Sequence, residues 1–134
     1  MGIKTIGRFV YDSSSATSLA VNDSVSGLSS TVSNRFINCD GTNIMIYKPG
    51  TYQVLVNLTL EATAASTVET QIYRNNAVVA GAHAVSTATA IGDFITQSYS
   101  TVISVSCGAP TTINVKALTA TNLRIANIII NRIA

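Results

Sequence analysis

From Lys48 to Ala84 the chain reads KPGTYQVLVNLTLEATAASTVETQIYRNNAVVAGAHA, and its first part keeps time by twos. Tyr52, Val54, Val56, Leu58 and Leu60 alternate with Gln53, Asn57, Thr59 and Glu61. A period of two places one set of side chains on one face of an extended backbone, so this segment predicts a β-strand with one buried face. Pro49-Gly50 supplies a tight turn before it. Asn75-Asn76 suits a two-residue hairpin further on, because asparagine tolerates the positive φ such turns need. Val, Ile and Thr are abundant, prolines number two, and no segment carries a helical stripe.

Reading strands between Gly, Asn, Asp and Ser punctuation predicts ten. They run from Ile3 to Tyr11, Ser18 to Val21, Arg35 to Ile37, Ile44 to Tyr47, Tyr52 to Ala62, Val68 to Arg74, Val78 to Thr87, Phe94 to Ser106, Thr112 to Leu118 and Leu123 to Ile133. Short strands at this spacing predict an all-β, antiparallel sandwich or jelly roll. The Ser-rich stretches Ser13 to Ser18 and Ser24 to Ser33 are expected to be surface loops, pinned by Leu19, Val21, Val25 and Leu28.

Two strands carry apolar residues on both faces. In the last, Leu123, Ile125, Ile129 and Ile133 are expected on one side and Ala126, Ile128 and Ile130 on the other. In the strand from Phe94, Ile95, Tyr99, Ile103 and Val105 oppose Phe94 and Val102. A terminal strand of a small sandwich buries only one face in its own core, so the other needs a second surface. Assembly of copies through one sheet is the expectation, with Tyr99, Ile103, Ile128 and Ile130 as candidate interface residues.

Composition sharpens this. Of 134 residues only 10% are charged, against about 25% in ordinary soluble proteins. Hydrophobic residues make up 47%. So sparse a charge protects a lone monomer poorly against association. The length suits one domain, residues 1–134. Eight basic and six acidic residues are scattered without a run of Lys or Arg, which argues against nucleic-acid binding. No apolar stretch approaches the ~20 residues of a membrane helix, so no membrane insertion is expected. The opening MGIKTIGRFVYDSSS lacks the apolar core of a signal peptide, which implies cytosolic synthesis. In that compartment Cys39 and Cys107 are expected as free thiols.

Candidate chemistry is thin. His83 is the sole histidine, so any Ser-His-Asp or Cys-His arrangement has to pass through it, and its Ala-His-Ala setting reads as a surface or interface position. Asp12, Asp23, Asp40, Glu61, Glu69 and Asp93 are dispersed, without the spacing of a metal loop or a glycosidase pair. Asp40 before Gly41 and Asp93 after Gly92 read as turn formers. Asn22-Asp23-Ser24 and Asn57-Leu58-Thr59 match the glycosylation sequon by chance in a chain without a secretion signal. No catalytic residue, cofactor or metal ligand is expected. Among the tyrosines, Tyr52 is assigned to core packing and Tyr99 to the interface.

Lys48-Pro49-Gly50-Thr51-Tyr52 leading into the long strand, Gln71-Ile72-Tyr73-Arg74-Asn75-Asn76 with Val79-Ala80-Gly81-Ala82 after it, the long strand before Cys107-Gly108 and the apolar last strand together resemble the C1q and tumour-necrosis-factor superfamily. That resemblance covers most of the chain and implies a compact homotrimeric jelly roll. Members of the family commonly add a collagen-like stalk and an aromatic-rich final strand, whereas here the final strand is isoleucine-rich and no Gly-X-Y stretch occurs. The stalkless form is most similar to the jelly rolls of bacteriophage structural proteins. It implies a non-enzymatic virion-surface protein, serving as capsid decoration, head fibre or host-contacting fibre tip. Its partners are then other virion proteins and a host cell-surface glycan or protein. The resemblance also leaves open a calcium ion where loops converge. Rival expectations are a carbohydrate-binding jelly-roll module, weakened by the absence of Trp, and a cupin-like enzyme, opposed by the absence of a His and Glu metal cluster.

Overall fold

The computed structural model describes residues 5–32, 35–108 and 110–134. Ten strands follow one another: β1 Ile6–Leu19, β2 Ser29–Val32, β3 Ile37–Cys39, β4 Ile44–Ile46, β5 Gly50–Glu61, β6 Thr67–Arg74, β7 Ala77–Thr87, β8 Phe94–Val105, β9 Thr111–Ala117 and β10 Thr121–Arg132. They form two five-stranded sheets, A in the order β2-β1-β10-β5-β8 and B in the order β3-β4-β9-β6-β7. Every named pairing is antiparallel.

The alternation in β5 is realised as read: Tyr52, Val54, Val56, Leu58 and Leu60 are buried, and the residues between them are half-buried on the other face. Their core partners include Phe9 of β1, Ile72 of β6, Ile113 and Val115 of β9, and Leu123, Ile128 and Ile130 of β10. Tyr52 is fully enclosed, and its hydroxyl donates to the Lys48 carbonyl at 2.7 Å, so the phenol's one polar atom is satisfied where the turn enters the strand. The hairpin between β6 and β7 turns on Asn75 and Asn76, both at positive φ (50° and 64°).

Three local expectations are corrected. The Ser-rich stretch after Asp12 is not a loop: β1 continues to Leu19, with an irregularity between Asp12 and Thr17, because Thr121, Asn122 and Leu123 of β10 offer pairing partners to Leu19, Ser18 and Thr17. Ladder hydrogen bonds outweigh the weak strand preference of serine. The second Ser-rich segment contains β2, which pairs with Phe9 and Val10 at the sheet edge. Of the four anchors, Leu19, Val25 and Leu28 are buried and Val21 is exposed. The segment around Val25 is held on β9, where Val25 N donates to the Val115 carbonyl at 2.8 Å and Asn22 N to that of Ala117 at 2.7 Å. Ile3 and Ser33, at the limits of two expected elements, lie outside the described residues.

Candidate functional site

Each sheet turns one face inward, and the chemistry of the outward faces decides what the protomer can meet. The inward face of sheet A contains the residues that sequence nominated for an interface. Ile128 and Ile130 are 1% and 0% exposed, and Ile103 is buried as well, all within the protomer's own core. Tyr99 packs against that core too. These four side chains are therefore consumed by the fold, and the free face of the same strands is the opposite one.

Register shows what that free face presents. Arg8, Ile129, Leu55 and Ser100 form one cross-strand row, and Val10, Asn127, Asn57 and Ser98 the next. A third holds Asp12, Ile125, Thr59 and Thr96. Its middle is uncharged, with aliphatic groups set among short amides and hydroxyls. Ile125 is 41% exposed, and Phe94 at one end is 64% exposed. Beside Phe94, Arg124 stacks at 5.5 Å from the ring centroid and its Nη1 pairs with Glu61 Oε2 at 3.3 Å.

One detail of β10 differs from simple alternation. Leu123 pairs with Leu60 and Ile125 with Thr59, leaving Arg124 as an extra residue. This bulge inverts the parity, so Leu123 points into the core while Ile125 and Ile129 point out. Sequence had placed all three on one side.

Between the sheets lies a polar network that the hydrophobic pattern conceals. Thr70 Oγ1 donates to Gln97 Oε1 at 2.5 Å and lies 2.9 Å from the Tyr99 hydroxyl. Gln97 Nε2 donates to the Val68 carbonyl at 3.0 Å and to Ser86 Oγ at 3.1 Å. It ties β8 of sheet A to β6 and β7 of sheet B and explains why Tyr99 faces inward. Burial, only partly offset by the Thr70 contact, pushes its phenol pKa up to about 12.

The remaining titratable groups fall apart in space. His83 Nε2 lies 3.1 Å from Glu69 Oε2 on the outward face of sheet B. Asp40 Oδ1 accepts from the backbone N–H of Asn43 at 2.7 Å and of Thr42 at 2.9 Å. Asp93 Oδ2 accepts from the Thr89 hydroxyl at 2.9 Å and from the N–H of Ala90 and Thr89 at 3.0 and 3.1 Å. Those bonds hold both carboxyls below their ordinary range and mark both as turn formers. Among the described residues no three His, Cys, Asp or Glu side chains gather as a metal site. Cys39 and Cys107 are both free thiols, and burial raises the pKa of Cys39. Asn57 lies in the middle of β5 and Asn22 in the turn after β1. No helix is long and apolar enough to cross a membrane among the described residues.

A groove of about 380 Å³ opens where the edges of β7 and β8 meet, lined by Val78, Val79, Val102, Ile103 and Ser104 with Arg74 at its rim. The Arg74 guanidinium donates to the Ser104 carbonyl across it.

No family model and no curated protein sequence matches the chain. Solved structures do. The Eiger TNF of S. frugiperda superposes with a TM-score of 0.77 at 11% identity, covering 98% of this chain and 93% of its own. The globular domain of zebrafish complement 1qA protein gives 0.66 at 8% identity over 96% and 95%. The PRD1 vertex protein P5 gives 0.63 at 16% identity over the whole of both chains. With two antiparallel sheets in this strand order, matched across nearly its full length by these proteins, the chain has the C1q/TNF-like jelly-roll fold.

Proposed function

We infer that this protein is a non-enzymatic homotrimeric component of a virion surface, acting as capsid decoration, head fibre or fibre tip. The outward face of sheet A carries this reading. It spans four long strands, its centre is uncharged and partly aliphatic, and its charged groups, Arg8, Asp12, Glu61 and Arg124, sit toward its margins. A core of that kind within a polar rim is how subunit interfaces are built. The resemblance to trimeric C1q and tumour-necrosis-factor proteins supports three copies around an axis, and the likeness to a vertex protein supports the virion setting. The dispersed carboxylates and the lone His83–Glu69 pair offer no nucleophile and base in register, which supports a binding role.

Light scattering at micromolar concentration tests the assembly, with a mass three times 14.0 kDa expected. A stable monomer overturns it. Electron microscopy of particles labelled against this chain tests the setting, and unlabelled particles remove it.

A further inference from the structure

The formal charge of +2 hides a division along the long axis of the sandwich. At one end β5 begins, β10 finishes at Arg132 and β6 finishes at Arg74. Arg35 precedes β3 there and Lys48 follows β4. Contacts join these groups: Arg35 and Lys48 both stand over the Phe36 ring, at 4.8 and 5.0 Å from its centroid, and Arg132 Nε donates to the Pro49 carbonyl at 3.2 Å. Arg74 reaches Ser104, whose strand partner is Thr51, next to the same turn.

All six Asp and Glu side chains lie elsewhere. Glu61 ends β5, Glu69 is near the start of β6, Asp93 precedes β8, Asp40 follows β3, Asp23 bonds to Ala117 at the end of β9, and Asp12 pairs with Ile125. Both ion pairs among the described residues, Glu61–Arg124 and Glu69–His83, are at that far end too. Four cations, Arg35, Lys48, Arg74 and Arg132, therefore share one end, and among the described residues none of them pairs with an Asp or Glu side chain. Two of them crowd one ring, an arrangement whose mutual repulsion a bound anion relieves.

We propose that this basic end binds a linear polysaccharide carrying sulfate, phosphate or carboxylate groups. Guanidinium forks match such oxyanions in a bidentate manner. Arg35 and Lys48 sit in separate loops and Arg74 and Arg132 at the ends of separate strands, as suits a flexible chain that meets them one charged group at a time. The groove beside Arg74 has aliphatic walls and the Ser104 carbonyl, which suit a sugar ring better than a stacked base. Phe36 is already covered by Arg35 and Lys48, which closes that ring to a stacked base, and the exposed Tyr47 beside Lys48 offers a wall to a sugar ring. The inference names a partner class for the surface-contact role proposed above and rests on that reading for its setting alone, since a single protomer carries the whole basic end.

The test is retention on immobilised dextran sulfate at low salt, with neutral dextran and a DNA single strand of matched charge as parallel arms and the mass of the same sample read by light scattering. Retention on dextran sulfate, release by salt, and indifference to neutral dextran are expected. Arg35→Gln with Lys48→Gln is expected to weaken binding roughly three- to thirty-fold, as two exposed charge contacts do, with melting temperature unchanged. Arg124→Gln, at the far end beside Glu61, is expected to bind like the parent. Should the double variant fail to fold, Lys48→Gln alone asks the same question through a smaller loss. No retention, an equal loss with Arg124→Gln, or DNA binding as tight as dextran sulfate overturns the proposal. Retention by a monomer removes only the assembly reading, and a trimer without retention removes only this one.

Discussion

Adjacent residues of β10 are expected to respond in opposite ways to the same substitution. Ile128 is 1% exposed and faces Val56 across the ladder, inside the core. Truncating such a residue costs about 2–5 kcal/mol. An aspartate there adds the several kcal/mol of an unpaired carboxylate in an apolar site. Against the 5–15 kcal/mol typical of a domain's total stability, that sum leaves little or no folded protein. Ile129 lies one residue on, opposite Leu55 and Arg8, on the half-buried outward face. Its carboxylate variant keeps access to water in the protomer and stands near the Arg8 guanidinium, so the fold is expected to lose about 1 kcal/mol or less. In an assembly through sheet A the same carboxylate is buried once per copy, and association is expected to fail. Circular dichroism melting and light scattering on Ile128→Asp and Ile129→Asp separate the cases: loss of the transition in the first, an intact transition with monomer mass in the second. If Ile129→Asp keeps the parent's oligomeric mass, the outward face of sheet A is not the interface.

Tyr99 sets an alkaline limit. Its folded pKa of about 12 stands above the ordinary phenol value of 10.0, so the folded state holds the proton more tightly. The associated stability is complete below the unfolded pKa and is lost as pH rises from about 10 to about 12. Ultraviolet titration of Tyr99→Phe against the parent is expected to lack one late phenol, and an unchanged titration curve refutes the assignment. Gly50, at φ +151°, is where a Cβ would meet the Ala134 carbonyl oxygen at 2.7 Å and also Arg132 Nε. Gly50→Ala is expected to cost about 1–3 kcal/mol from the rare backbone conformation, read as a lower melting temperature, and an unaltered melt removes that account.

Much of this protein was written in its alternation. Tyr52 to Leu60 announced a one-sided strand because side chains on an extended backbone alternate with a period of two, whatever the partner. The Asn75-Asn76 hairpin was equally legible, since positive φ is a property of the residue and its two neighbours. Turn roles for Asp40 and Asp93 followed from the same local chemistry. Other features waited for the fold. β1 runs on through serines only because β10 lies beside it, and nothing within that segment encodes the neighbour. The bulge at Arg124 sets Leu123 and Ile125 on opposite faces of β10, and only the packing of the second sheet puts Ile128 and Ile130 in the core. The buried Gln97–Thr70 bond has no local signature, because it needs strands from opposite sheets to bring the two hydrogen-bonding groups together. The division of charge is the clearest case. Arg35, Lys48, Arg74 and Arg132 are far apart in sequence, and antiparallel order alone, which sets the start of one strand beside the end of the next, gathers them at one end.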